Sequence, residues 1–164
     1  MIEFEPLREE HLTLLRDWLQ REHVHKWWCD SIEDSLHEYE QAIAGLDPSD
    51  HYLIVVDGRP AGMIETYLVS DHPEWEDIVR VGEGVAGVDL MIGEEELIGR
   101  GLGPQILGRF VRDVLAAPAV VATVEVANRR SWRAFEKAGF RHVRDVEEDG
   151  LPHRLMRLDR RYAQ

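Results

Sequence analysis

The chain has 164 residues, 44% of them hydrophobic, with 32 Asp or Glu against 19 Lys or Arg and a formal net charge of -13. One domain of that length can bury a real core, and no apolar run reaches the roughly eighteen residues a membrane span needs. So acidic a balance argues against nucleic acid, whose phosphates require a basic face. Cys29 is the only cysteine, so no internal disulfide can form and a cytoplasmic setting is expected. The start MIEFEPLREEHL is acidic and patterned, unlike a secretory leader. Between Glu65 and Glu96 stand ten acids and one cation, Arg80. That cluster reads either as a solvated acidic loop or as a cleft that concentrates a polycation, and composition leaves both open.

In chain order, IEFEPL alternates and ends as a short strand. HLTLLRDWLQ sets Leu12, Leu15 and Leu19 at helical spacing. An aromatic knot, VHKWW, precedes a second helix that opens on Ser31 as cap and closes at Gly45. Two β-rich runs around Asp57-Gly58 predict a hairpin. The polar stretch from Ser70 to Gly82 breaks the pattern as an acidic loop. GVAGVDLMIG resumes a strand. A helix follows from Pro104, with proline in its first turn, where a missing N–H costs nothing. VVATVEV is a buried strand, and RRSWRAFEKAGF a helix with Asn128 as cap and Gly139 as stop. A last hairpin turns at Asp149-Gly150. The order predicts a single domain over residues 1–164: a mixed α/β or α+β fold with a mostly antiparallel sheet of about seven strands and about four helices.

Between the fourth strand and the helix that follows it lies IGRGLGPQIL, residues 98–107. A Walker loop needs Lys then Ser or Thr after its last glycine, and here Pro104 follows Gly103. A dinucleotide fingerprint counted from Gly99 also fails on Pro104. What remains is strand, glycine loop and helix start. Its backbone N–H groups from Arg100 to Gly103 suit a pyrophosphate, and a tight turn without ligand is the plain alternative. His23-x-His25 is the one close histidine pair, without Cys or acid at zinc-ligand spacing, so no metal is expected.

The combination of G99-R100-G101-L102-G103-P104 before a helix with N128-x6-F135-E136-K137-A138-G139-F140 resembles the GNAT superfamily of acyl-CoA N-acyltransferases. The resemblance covers nearly the whole chain in element order. It implies a sheet splayed in its middle, with acetyl-CoA as donor. Its pyrophosphate would sit on Gly99, Arg100, Gly101, Leu102, Gly103 and Pro104, and its pantetheine arm along Leu90, Met91 and Ile92. Asn128 would lie on the pantetheine side, and Phe135 would fall where many members carry a tyrosine that protonates the leaving thiolate. Phenylalanine donates nothing, so the thiolate must leave unaided or be protonated by water. Ile98 likewise replaces the Gln or Arg common at its position.

Within that superfamily the chain is most similar to the aminoglycoside 6'-N-acetyltransferases: the pair Trp27-Trp28, the strand motif Gly87-Val88-Asp89 and the wording of the glycine loop agree. The resemblance implies that Asp89 is the general base. A carboxylate can attract an alkylammonium and take its proton before attack on a thioester; read alone, an Asp in a strand is more simply a cross-strand hydrogen-bond partner. Trp28, Glu65, Tyr67, Glu74, Glu125 and Asp149 are candidates for holding a cationic small-molecule amine. All but Glu125 have a plainer reading: core packing for Trp28, an exposed sheet face for Glu65 and Tyr67, an acidic loop for Glu74, a turn signal for Asp149. The rival acceptors are an N-hydroxylysine of siderophore synthesis, whose enzymes tend to carry histidine where Asp89 stands, and a protein N-terminus. A non-catalytic acyl-CoA-binding domain is the rival of another class. Monomer and homodimer are both compatible with the sequence.

Overall fold

The computed structural model describes residues 1–28 and 31–160. Seven strands form one sheet: β1 (Ile2–Pro6), β2 (Asp50–Val56), β3 (Arg59–Leu68), β4 (Val85–Ile92), β5 (Ala119–Glu125), β6 (Arg141–Glu148) and β7 (Leu151–Asp159), in the order β1-β2-β3-β4-β5-β7-β6. Among the described residues six α-helices accompany them: α1 (Leu12–Gln20), α2 (Glu22–Trp28), α3 (Ile32–Ile43), α4 (Pro73–Val79), α5 (Leu102–Asp113) and α6 (Arg129–Lys137). The mixed α/β class and the seven strands agree with the sequence reading; the number of helices does not. The knot VHKWW belongs to α2, and the supposed acidic loop contains α4. Both extra helices are seven residues long, too short for a stripe to repeat. The glycine-loop helix also starts earlier than expected, at Leu102, so Pro104 is its third residue.

Backbone contacts divide the chain into two compact units. Unit 1 is Met1–Thr66 with Asp89–Arg100, and unit 2 is Tyr67–Val88 with Gly101–Gln164. In unit 1, β1 and β2 pair antiparallel, and β2 and β3 form the hairpin through Asp57 and Gly58. Both turn residues have positive φ, 51° and 78°, the geometry of a type I′ turn, which Asp-Gly tolerates. The core of unit 1 gathers around Trp18, Leu15, Leu19, Tyr39, Leu53 and Met63. Amphipathic α1 and α3 supply much of it, and Ser31 caps α3 by accepting from the Asp34 N–H at 3.2 Å.

In unit 2, β4 runs parallel to β5 over Val85–Gly87 and Ala119–Val121. β5 pairs antiparallel with β7, and β7 with β6. The β6–β7 hairpin turns at Asp149 (φ 52°) and Gly150 (φ 76°). Val69, Val79, Val85, Val121, Val146 and Leu155 form an aliphatic core over which Trp75 and Ile78 of α4 pack. The Arg144 guanidinium donates to the Val79 carbonyl at the end of α4. Pro73 opens α4, and Trp75, Ile78 and Val79 bury its inner side, which is why an acid-rich stretch is helical.

Candidate active site

The exit of β4 is fixed by side chains of unit 1. A Cβ added to Gly93 would lie 2.1 Å from the Trp18 ring, so the strand passes directly over the indole only because position 93 has no side chain. The Trp18 Nε1 donates to Glu94 Oε1 at 3.0 Å, and Arg21 donates to the Gly93 carbonyl at 3.0 Å and to Glu94 Oε2 at 2.9 Å. These donors, Trp18 first and Arg21 next, hold the Glu94 carboxyl below its ordinary range. Sequence reasoning missed this clamp; the arginine that caps the C-terminus of α1 carried no local signal that it would reach residue 94.

The clamp also sets which way the β4 backbone faces. Gly93 N–H donates to Ala61 of β3 at 2.8 Å, and a Cβ on Gly62 would lie 2.0 Å from the Met91 carbonyl oxygen. Backbone polar groups alternate in direction along a strand. Met91 and Gly93 therefore face β3, while Leu90 and Ile92 turn their polar groups the other way. The Ile92 carbonyl meets His23 Nε2 at 3.1 Å. Of the three residues expected along the pantetheine, Leu90 and Ile92 have the N–H direction that leaves the β3 ladder, and Met91 does not.

Asp89 is half-buried on β4 and shares a strand face with Gly87 two residues earlier. Within unit 2 a Cβ on Gly87 would stand 2.5 Å from the Tyr67 ring. The glycine of the G-x-D motif thus makes room for that ring, whose edge contacts run to His72 at 4.9 Å and Trp75 at 5.6 Å between centroids. In unit 1, Glu65 pairs across the hairpin with His51, Oε2 to Nε2 at 2.6 Å, and the histidine residue is only 8% exposed. Tyr39 sets its ring edge-on to His51 at 5.2 Å and accepts from Trp28 Nε1 at 2.9 Å. Trp28 is therefore half-buried against the core with its N–H spent, and the exposed member of the pair is Trp27, beneath Lys26. Nearby on α3, Glu38 is raised above its ordinary range, by desolvation first and then by the carboxylates of Glu65 and Asp47. It joins Glu65 as an acidic neighbour that the sequence did not single out.

The glycine loop has backbone angles that suit its role as a turn into a helix. Gly99 and Gly101 lie at φ 79° and 75°, where a side chain would be strained, with open space beside both. Gly101 caps α5 without a side-chain hydrogen bond, and the first turn holds no acid. Arg100 is exposed, and Leu102, Gly103 and Pro104 are half-buried. Gly103 approaches α6 closely, since its Cβ would sit 3.2 Å from that of Ala134.

The remaining candidates lie in unit 2. Glu74 is exposed in the first turn of α4. Glu125 ends β5 opposite His153, which approaches Glu148 at 3.6 Å. Asp149 is exposed at the hairpin tip. Asn128 caps α6 without a side-chain hydrogen bond. Phe135 is 3% exposed and packs edge-on to Phe140 at 5.0 Å, so its ring is a core element of unit 2.

Charge is divided unequally. Unit 1 holds 19 Asp or Glu against six Lys or Arg, whereas unit 2 holds 13 of each. The acid of residues 65–96 is split as well, five of the ten belonging to each unit. No helix among the described residues is long and apolar enough to cross a membrane.

Comparison with known proteins agrees with this architecture. An aminoglycoside N(6')-acetyltransferase type 1 of Klebsiella pneumoniae is 26% identical over 144 residues, which span 82% of this chain and 71% of the relative. Among solved structures, the aminoglycoside acetyltransferase AAC(6')-Ib in complex with coenzyme A and kanamycin superposes with a TM-score of 0.86 at 23% identity, covering 98% of this chain and 96% of the other. An aminoglycoside N(6')-acetyltransferase from Legionella pneumophila reaches 0.83 at 19% identity, covering 99% and 94%. At those identities the likeness is one of fold. The acetyltransferase (GNAT) domain matches residues 8–148, and the chain belongs to that family as an acetyl-CoA-dependent N-acetyltransferase.

Proposed function

We propose that the protein transfers an acetyl group from acetyl-CoA to a primary amine of a cationic small molecule, the 6'-amine of an aminoglycoside, with Asp89 as general base. The observation that carries this reading is the placement of a half-buried Asp89 in the unit that holds the entire net charge of -13. An acidic surface raises the local concentration of a polycation, and a carboxylate at the strand can then accept a proton from one of its ammonium groups. The 26%-identical aminoglycoside N(6')-acetyltransferase supports the choice of acceptor.

The loop suits the donor. A turn into α5 with positive-φ glycines, no side-chain cap and no first-turn acid leaves amide donors and a favourable dipole for a pyrophosphate. Gly99, Arg100, Gly101, Leu102, Gly103 and Pro104 would hold it, and Asn128 would flank the pantetheine. When bound, acetyl-CoA supplies the thioester carbonyl that the amine attacks.

The chain's residues then act in order. Glu65, paired with His51, and the other acids of unit 1 bind and orient the ammonium groups, with Trp28 of the same unit as a further contact. Asp89 takes one proton from the ammonium, which frees the lone pair that attacks; as the C–N bond forms and the C–S bond breaks, the second N–H proton leaves to solvent. The N–H groups of Leu90 and Ile92 face away from β3 and are the donors available to the pantetheine arm and the carbonyl oxygen. Phe135 offers no proton, so the thiolate, of ordinary pKa near ~8.5, is protonated by solvent.

Thiol release from acetyl-CoA separates the acceptors. Kanamycin is expected to be turned over, whereas an N-hydroxylysine and an N-terminal peptide are not. Full coenzyme binding without turnover of any aminoglycoside would refute the acceptor assignment.

A further inference from the structure

Strand β2 buries a side chain that its position disfavours. The side chain of His51 is only 4% exposed, and among the described residues neither of its ring nitrogens completes a hydrogen bond. A buried polar atom left so is costly, and an apolar residue would avoid the cost. A broken local rule of this kind is expected where a function compensates for it. The ring is nonetheless firmly seated. Tyr39 lies edge-on to it at 5.2 Å, with its own hydroxyl accepting from Trp28 Nε1 at 2.9 Å, and the Leu7 N–H donates to the His51 carbonyl at 2.9 Å.

What the ring faces is a carboxylate. His51 stands directly opposite Glu65 in the register of β2 and β3, so the two side chains share one face of the hairpin, and Nε2 lies 2.6 Å from Glu65 Oε2. Exposure divides their roles. Glu65 is 18% exposed against 4% for the histidine, so a ligand can touch the carboxylate but not the ring. An ionised carboxylate offers about four acceptor positions, and among the described residues neither Glu65 nor Glu38 is paired with a Lys or Arg. Desolvation first, and then the Glu65 and Asp47 carboxylates, hold the Glu38 carboxyl above its ordinary range. The acids thus repel one another at a place where an external cation would bring relief.

We infer that His51 is a positioning residue for the acceptor: it fixes the Glu65 carboxylate, beside Glu38, to receive one ammonium group of a polycationic amine. The inference rests on the reading that Glu65 binds the acceptor. A neutral imidazole with its proton on Nε2 restrains the carboxylate without cancelling its charge. The restraint removes side-chain freedom before the ligand arrives, freedom that an unrestrained glutamate would lose on binding. Because the ring does not touch the ligand, its whole effect passes through Glu65.

Steady-state turnover of kanamycin, with coenzyme A affinity measured by calorimetry, tests this through a double-mutant cycle. Glu65→Gln should raise the acceptor KM about fivefold or more, the upper range of a partly exposed ion pair. Its kcat should change little, as for a contact made equally in ground and transition states. His51→Leu should raise KM to a similar extent in the wild type but by no more than about twofold in the Glu65→Gln background, since the two residues act as one unit. His51→Gln keeps an N–H at similar reach and should recover most of the loss. Equal losses in both backgrounds, no loss in His51→Leu, or a fall in coenzyme A affinity with either histidine variant would overturn the positioning role. An unchanged KM in Glu65→Gln would instead overturn the reading that Glu65 binds the acceptor.

Discussion

The two units differ in charge and in how their cores are closed. Unit 1 carries the whole excess of acid, and unit 2 is neutral. The core of unit 1 is built around large aromatic rings whose polar tips are used: Trp18 donates to Glu94, Trp28 to Tyr39, and Tyr39 lies against a buried histidine. The core of unit 2 is mostly valine and leucine, and its aromatic pair Phe135 and Phe140 has no polar atom. An average over the chain hides this. A net charge of -13 describes one region of the sequence, and that region is where a cation would be drawn.

The largest expected effect tests whether the acceptor chemistry belongs to unit 1. Asp89→Asn preserves shape and removes the base, so kcat should fall about a hundredfold or more while coenzyme A affinity measured by calorimetry is unchanged. A fully active variant would remove the base from β4 and with it the chemical half of the contrast. Next in size is a test of the aromatic closure. Gly93→Val forces a branched side chain into the Trp18 indole, 2.1 Å from the nearest ring atom. Overpacking of this kind costs about 1–3 kcal/mol or more, so thermal unfolding should begin several degrees lower. An unchanged Tm would mean that the ring moves freely and that the clamp on β4 is not rigid.

Much of this was legible in the sequence. Asp57-Gly58 and Asp149-Gly150 announced their hairpins because both dipeptides accept the positive φ such turns require. Ser31 announced the start of α3 because its side chain can satisfy a first-turn N–H. Helices α2 and α4 were not read, for a physical reason. Each has seven residues and a single fully buried one, Val24 or Val79, so local pattern is weak and packing decides. In α4, Trp75, Ile78 and Val79 already stood at helical spacing after Pro73, but the surrounding acids obscured it. The GNAT family and the glycine loop could be read because a backbone shape demands particular residues. The Trp18–Arg21–Glu94 clamp and the His51–Glu65 pair could not, since each joins positions far apart in sequence through side chains that have many other possible partners.

The smallest effect probes the acid excess of unit 1 directly. Glu38 has a carboxyl raised above its ordinary range, by desolvation first and then by Glu65 and Asp47, with His51 opposing. Its unfolded value is near ~4.3. Between that value and the higher folded one, the folded state binds the proton more tightly. By linkage, stability then falls as pH rises through that window, and the deficit is complete above the folded value. Glu38→Gln removes the titration. Below about pH 4 the glutamine variant should match the wild type, and near neutrality it should be more stable, by less than about 1 kcal/mol because the residue is solvent-exposed. A polycation relieves the same repulsion, so kanamycin should raise the Tm of the wild type more than that of the variant. A variant less stable than the wild type at neutral pH would show that Glu38 is held by an attraction rather than crowded by its neighbours. The acid of unit 1 would then be a set of satisfied pairs instead of a surface awaiting a cation.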